Sequence, residues 1–396
     1  MTSSRKNKTI FIDNEAAAAL ELLKDSLLFP VTKLMGQKAS QEILDTGLIK
    51  NKTFPFPFIL APSGNKNIRV IQSLQKGEEV RLVCDNELFA SLIVDETFEI
   101  DPKERIKQIY GTDDISHPGV RTTLKRIGPF ALSGEFTLLN NHKNENIQKI
   151  KDAKEMIGAQ HTSAVVMAAN PLHRAHERFI RQTLDSSDLL VIFLLKPYTD
   201  TNISYEIREE ALEFYINNFL PKNRVIIVPL ENSYIFAGYN EIILDAIVAK
   251  NYGCDSLTIG RNHAGLGMFY DENSHKSIVD KMIGIDIEIN ISSEFVYCDK
   301  CTTLVSKNTC PHGQHHQISY HADSILDLLE AGILPPAVLM RKEISSFILA
   351  KLLPNRFKNL EKLYYDTFPV TGLLENHTEK EFYNELMKLY QTSSLT

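Results

Sequence analysis

The stretch Ser163-Ala164-Val165-Val166-Met167-Ala168-Ala169-Asn170-Pro171-Leu172-His173-Arg174-Ala175-His176 decides how the rest of the chain is read. Ser163 to Ala168 is a short apolar run of strand length, and Leu172 to Leu184 has helical periodicity, so the chain passes here from a strand into a helix. The alternation continues with Leu189 to Leu195 (apolar), Ser204 to Phe219 (helical), Arg224 to Pro229 (strand), Tyr239 to Lys250 (helix) and Ser256 to Ile259 (strand). Strands alternating with helices predict βαβ units around a buried parallel sheet, an α/β fold. Ligands of such sheets lie beyond the carboxyl ends of the strands. The loops after Ala168 and Ile259 are therefore the places to look for chemistry.

Outside this region the character changes. Residues 1–155 read as a compact β-rich half: Val80 to Cys84 and Leu88 to Val94 pair around Asp85-Asn86, and Phe130 to Leu139 is a further strand. Phe54-Pro55-Phe56-Pro57-Phe58-Ile59-Leu60 alternates proline with aromatics, which suits an edge or barrel-rim strand. Ala16 to Leu28 is helical in pattern. Asn140 to Lys154 is polar and charged and reads as a domain junction; the other reading is a helix with a charged face. Ser324 to Ala331, Lys342 to Leu352 and Glu379 to Tyr390 make the end helical. The expected domains are 1–155, 156–322 and 323–396.

Composition narrows the function. The chain has 396 residues, 43% hydrophobic and 23% charged, and a formal charge of −7. These are values of a folded protein, and the acidic balance argues against general nucleic-acid binding. No apolar run approaches the ~18 residues of a membrane span. The polar start shows no secretory leader, so a cytoplasmic protein acting on small molecules, without nucleic-acid or membrane partners, is expected. Whether it forms a homo-oligomer is left open.

Three motifs carry chemistry. His173 and His176 are three residues apart at a helix start, where free N–H groups and the helix dipole favour an anion. Their imidazoles can donate to phosphate oxygens, with Asn170-Pro171 shaping the entry turn. A metal pair is the rival reading. Gly260-Arg261-Asn262-His263-Ala264-Gly265-Leu266-Gly267 follows another strand. Its glycines let backbone approach a ligand, and Arg261 and His263 offer donors to an oxyanion. Cys298-x2-Cys301-x8-Cys310-x-His312 has the ligand types and spacing of a closed structural Zn²⁺ site. The alternative is a cluster of reduced thiols, and His315 and His316 are spare ligands.

In order and spacing, these three motifs resemble those of the ATP sulfurylases (sulfate adenylyltransferases). Phe29-Pro30-Val31-Thr32-Lys33-Leu34-Met35, Gly111-Thr112-Asp113 with His117-Pro118-Gly119-Val120, and Glu330-Ala331-Gly332-Ile333-Leu334-Pro335-Pro336 are similar too. The resemblance implies a PUA-like N-terminal domain, a Rossmann-like nucleotidyltransferase domain carrying the 298–312 zinc segment, and a small helical C-terminal region. It implies conversion of ATP and sulfate to adenylyl sulfate and pyrophosphate, with Mg²⁺ accompanying ATP. His173, His176 and Asn170 would face the phosphates as catalytic residues. Arg261 and the backbone near Ala264 would hold sulfate, with Gly260, His263 and Arg174 in the substrate-binding set.

The sequence departs from the family pattern at several polar positions. Met167 and Ala169 stand where the family has Gln and Arg, Asn262 stands for Asp, and Ile235, Asn240 and Leu326 stand at arginine positions. Hydrogen bonds to charged groups contribute roughly 1.5–3 kcal/mol each. The departures therefore keep two alternatives open: transfer to a less charged or larger acceptor, and a catalytically impaired binding or regulatory homologue.

Overall fold

The fold was analysed in a computed structural model, which describes residues 8–139, 144–198, 203–261, 263, 278–369, 372 and 375–390. The chain opens with β1 (Lys8–Phe11), α1 (Asn14–Lys24), α2 (Gln37–Thr46), β2 (Leu48–Ile49), β3 (Lys52–Thr53), β4 (Leu60–Pro62) and α3 (Asn65–Ser73). It continues with β5 (Glu79–Cys84), β6 (Glu87–Glu99), α4 (Pro102–Tyr110), α5 (Pro118–Leu124), β7 (Ile127–Leu138) and α6 (Glu145–Ile157). Next come β8 (Thr162–Met167), α7 (Arg174–Asp185), β9 (Leu189–Lys196), α8 (Tyr205–Phe219), β10 (Val225–Glu231), α9 (Glu241–Asn251), β11 (Ser256–Ile259) and β12 (Glu288–Ile291). The rest is β13 (Phe295–Cys298), β14 (Thr303–Ser306), β15 (Gln317–Ile318), α10 (Ala322–Glu330), α11 (Lys342–Leu352), α12 (Leu360–Thr367) and α13 (Glu379–Tyr390). The chain divides into two compact units, Met1–Val166 with Leu230–Ile291, and Met167–Pro229 with Ser292–Thr396.

The first unit contains a sheet in the order β1-β5-β6-β7-β4. The expected β5–β6 pair forms, and both residues of its turn, Asp85 and Asn86, have positive φ (49° and 66°). Two such residues make the tight turn whose twist matches the strands it joins. The expected strand over Phe54–Leu60 does not form; only Leu60 enters one. Pro55 and Pro57 cannot donate to a ladder. The run instead places Phe54, Phe56 and Phe58 in the core, and Arg105 stacks on Phe56 with its guanidinium carbon 5.1 Å from the ring centre.

His117 caps α5, its Nδ1 accepting from the Gly119 and Val120 N–H groups at 3.1 and 3.4 Å, so this motif of the resemblance starts a helix. The polar segment after the first half carries α6, the helical alternative, with Ile150 as its buried anchor. The same unit holds three strands of the α/β region, with β11 parallel to β8 on one side and to β12 on the other. Every residue of β8 and β11 is buried, the pattern of strands covered on both faces. Even their polar members pair internally: the Ser163 and Ser256 hydroxyls lie 2.7 Å apart.

The second unit carries α7, β9, α8 and β10, then the cysteine-bearing hairpin and the terminal helices. Leu189 to Leu194 of β9 are all fully buried, and β10 is its hydrogen-bonded neighbour. Near the end of the chain, Phe357, Phe368, Phe382 and Tyr383 form an aromatic cluster with ring centres 5.1–6.1 Å apart. No helix among the described residues is long and apolar enough to cross a membrane. Leu194→Ala should cost about 2–5 kcal/mol in urea unfolding, because its site is enclosed, whereas Ile93→Ala, 55% exposed, should change stability by under ~0.5 kcal/mol.

Candidate active site and metal centre

β8 ends at Met167, and the chain turns sharply. Ala169 has φ +47° and is 2% exposed. A β-carbon in this left-handed region costs roughly 1–2 kcal/mol, and such strain persists where a site demands it. The turn delivers His173 as the N-cap of α7, with His176 three residues later inside the first turn. The two rings stack, centroids 3.8 Å apart and planes 17° from parallel, and Tyr320 also stacks with His173, ring centres 5.3 Å apart. The Tyr320 hydroxyl donates to the Val338 carbonyl at 2.7 Å, which fixes that ring.

Both histidines are held neutral. Burial is the main cause at His173, reinforced by His176, and pushes its pKa well below the ordinary range. Burial also brings His176 down to about 4, against a smaller upward pull from the Pro171 backbone. The His173 N–H donates to His176 Nδ1 at 3.4 Å, which puts the His176 proton on Nε2. His173 Nδ1 and Asn170 Oδ1 are buried without hydrogen-bond partners. Orphaned polar atoms at a helix start are what a ligand would satisfy.

Arg174 faces other groups. Its Nε donates to the Ala337 carbonyl at 3.1 Å and its Nη1 to Glu177 at 3.2 Å. Glu177 in turn takes Arg341, whose Nη2 and Nε lie 2.7–3.2 Å from its carboxylate. Arg341 also covers the Phe219 ring at 3.9 Å. This cluster, two half-buried arginines around the buried Glu177, anchors the start of α7. Sequence reading gave no signal for Glu177, which follows His176 directly, or for Arg341 and Tyr320, which come from distant positions.

The glycine-rich turn belongs to the first unit. Gly260 follows β11, and a β-carbon on it would meet nothing within 4 Å, so space beside it is open. Arg261 is half-buried. His263 Nε2 lies 2.7 Å from Asp245 Oδ2 on α9. Burial opposes charge on His263, but Asp245 and then Glu241 outweigh it and raise its pKa. Burial and Asp245 push Glu241 up to about 8. Ala264 and Asn262 lie outside the described residues.

Among the departing positions, Met167 and Ile235 are buried apolar residues. Asn240 donates to the Gln108 and Ile109 carbonyls at 2.9 and 3.1 Å. At Asn240 the polar side chain serves the end of α4.

Cys298 ends β13, and Cys301 lies in the turn to β14. Cys298, Cys301 and Cys310 place Sγ at 3.4, 3.3 and 3.8 Å from His312 Nδ1. The four ligand atoms all lie within 4.8 Å of one another. Tetrahedral ligands at Zn–S distances of ~2.3 Å are separated by roughly 3.7 Å, so the set can hold a metal ion. The Cys301 N–H also donates to Cys298 Sγ at 3.4 Å, a contact that favours thiolate. His316 turns instead toward Asp299, 2.8 Å away.

The family model described as ATP-sulfurylase matches residues 143–351, and that of a PUA-like domain matches residues 1–141. The chain belongs to the ATP-sulfurylase family. It therefore combines a Rossmann-like nucleotidyltransferase with an N-terminal PUA-like domain. The family's relatives include a sulfate adenylyltransferase of Halothermothrix orenii, 27% identical over 352 residues, covering 86% of this chain and 91% of that protein. One of Staphylothermus marinus is 30% identical over 291 residues, covering 71% and 75%. A solved structure described as a hexameric APS kinase from Thiobacillus denitrificans superposes over 89% of this chain with a TM-score of 0.64 at 17% identity. This chain spans 64% of that one, and the likeness is one of fold.

The two neutral histidines, His173 buried and His176 half-buried, set a pH dependence. Their unfolded forms take up protons from about pH 6.5, and the folded form resists until about pH 4 at His176. Stability should be full above pH 6.5 and fall as pH drops toward 4. In proton-linked unfolding measurements, His176→Asn should reduce the uptake on unfolding by about one proton in that window.

Proposed function

We propose that the chain adenylylates sulfate, releasing pyrophosphate from ATP. The stacked, neutral His173–His176 pair at the start of α7, in a chain of this family, carries the reading. An oxygen of sulfate attacks the α-phosphorus of ATP. The bond to the bridging oxygen breaks, and pyrophosphate leaves in line with Mg²⁺ on its oxygens. No protein atom becomes covalent and no proton must move, so catalysis is positioning and charge stabilisation. His176, with its proton on Nε2, donates to phosphate oxygens as negative charge spreads in the transition state. His173 Nδ1, lacking a protein partner, is free to donate to a substrate oxygen in the tautomer that carries its proton there, and Asn170 Oδ1, an acceptor, takes a hydroxyl or water of the bound substrate. Arg261, His263, Gly260 and the backbone near Ala264 are proposed to hold the anion. Arg174 is proposed to act from behind, fixing the helix start through Ala337 and Glu177. The names of the two relatives favour sulfate over a different acceptor.

The four-ligand cluster is proposed to take Zn²⁺ as a structural ion. Its donors are three thiols and an imidazole, and with four protein ligands no position is left for substrate. The ion would lock the β13–β14 turn to residues 310–312 and take no part in the reaction. The proposed domains are residues 1–155, 156–322 and 323–396; the family models meet at residues 141 and 143, near the first of these boundaries, and the second of them runs on to residue 351. Five free cysteines agree with a reducing, cytoplasmic setting.

Pyrophosphate release from MgATP should depend on added sulfate, and His173→Ala should lower it by about 10²–10³-fold. Release that is equal with and without sulfate would exclude this acceptor. Metal analysis should find one zinc per chain. Chelation or Cys310→Ser should lower the melting temperature by about 5 °C or more without removing the far-ultraviolet signature of the α/β strands and helices.

A further inference from the structure

Arg208 stands in the first turn of α8 and is 2% exposed. Its Nη1 donates to the Ala168 carbonyl at 2.7 Å and to the Leu195 carbonyl at 3.2 Å. These carbonyls lie at the carboxyl ends of β8 and β9. The other edge of the guanidinium, Nε and Nη2, is buried and has no hydrogen-bond partner. No carboxylate among the described residues pairs with Arg208. Its nearest aromatic neighbour is Tyr205, whose ring centre is 5.8 Å from the guanidinium carbon.

A buried charge without a counter-charge is costly and is kept where something pairs with it. Two carbonyl oxygens satisfy one nitrogen and leave the positive charge uncompensated. The free edge is the one on which Nε–H and Nη2–H run parallel, the fork that grips two oxygens of a tetrahedral anion. Its position is where ligands of parallel sheets bind. Burial lowers the pKa of Arg208, against smaller upward pulls from Tyr205 and Glu206. Ala169, next to the carbonyl that anchors Arg208, brings only a methyl group and no charge of its own.

We propose that the Nε/Nη2 edge of Arg208 is an oxyanion-binding element of the active site, gripping a tetrahedral oxyanion of the substrates side-on at the carboxyl ends of β8 and β9. The inference rests on the nucleotidyl transfer proposed above. It places a cation in the substrate pocket on α8 rather than on the turn after β8.

The test titrates sodium sulfate and MgATP separately against the wild type, Arg208→Met and Arg208→Lys. It reads the KM for each substrate and the rise in melting temperature each produces, at ionic strength matched with potassium chloride. Arg208→Met removes a buried unpaired charge but also the donor to the Ala168 and Leu195 carbonyls, so its melting temperature and far-ultraviolet spectrum are read first and it is compared with wild type only where it is folded. It should raise the KM for one oxyanion by about 10-fold or more. Arg208→Lys keeps the charge but not the fork and should recover only part of the loss. A rise confined to sulfate assigns the edge to sulfate, and one confined to ATP assigns it to the nucleotide phosphates. KM values for both substrates within twofold of wild type overturn the proposal and leave Arg208 a clamp on two carbonyls. If the wild type releases no sulfate-dependent pyrophosphate, sulfate or ATP should still protect it thermally and should fail to protect Arg208→Met. In that case the acceptor assignment falls and the oxyanion edge stands. A wild type protected by neither anion overturns it.

Discussion

The burial of β8 on both faces constrains everything around the site. All six of its residues are enclosed, so its backbone groups must be met by neighbouring strands and its chain can leave only at its end. The exit is abrupt, through a left-handed Ala169 and into α7. That turn fixes where Asn170, His173 and His176 can be. A less enclosed strand would let the turn relax, and the two imidazoles would have no reason to stack. Stacking with little solvent around it also disfavours two charges, which keeps the pair neutral.

Much of this was legible from residues alone. Strict burial writes a plain signal: runs such as Leu189 to Leu194 and Ser256 to Ile259 have no other use than as covered strands, and both lie where expected. The cysteine cluster was legible because its ligands are close in sequence and their chemistry is narrow. The alternation of proline and phenylalanine over Phe54–Leu60 misled, since period two usually marks a strand. Here it marks three core aromatics on an irregular path whose prolines could not have joined a ladder. His117 and the polar start of α6 were obscured because capping and charged faces look like loop in composition.

What remained hidden depends on long-range contact. Nothing near His173 foretells Tyr320, more than a hundred residues away, or the way Glu177 gathers Arg174 and Arg341. Arg208 is a sharper case. In sequence it is one of several charged residues at the start of an amphipathic helix, beside Glu209 and Glu210. Only the structure separates it from them, by turning it inward between two strand ends. The acidic balance of the whole chain concealed this as well, since a count of charges does not distinguish a solvated cation from a buried one.

The cysteine-bearing hairpin has one more consequence. Its last strand, β15, pairs with β13 beside Cys298, and two residues beyond β15 the chain reaches Tyr320, the ring that covers His173. The thiols and the histidine pair are thus mechanically linked by a short length of backbone. The position of the Tyr320 ring over His173 therefore follows how the hairpin is held, so a grip on four side chains at one end of β13 is felt at the imidazole by way of three backbone steps rather than through the core.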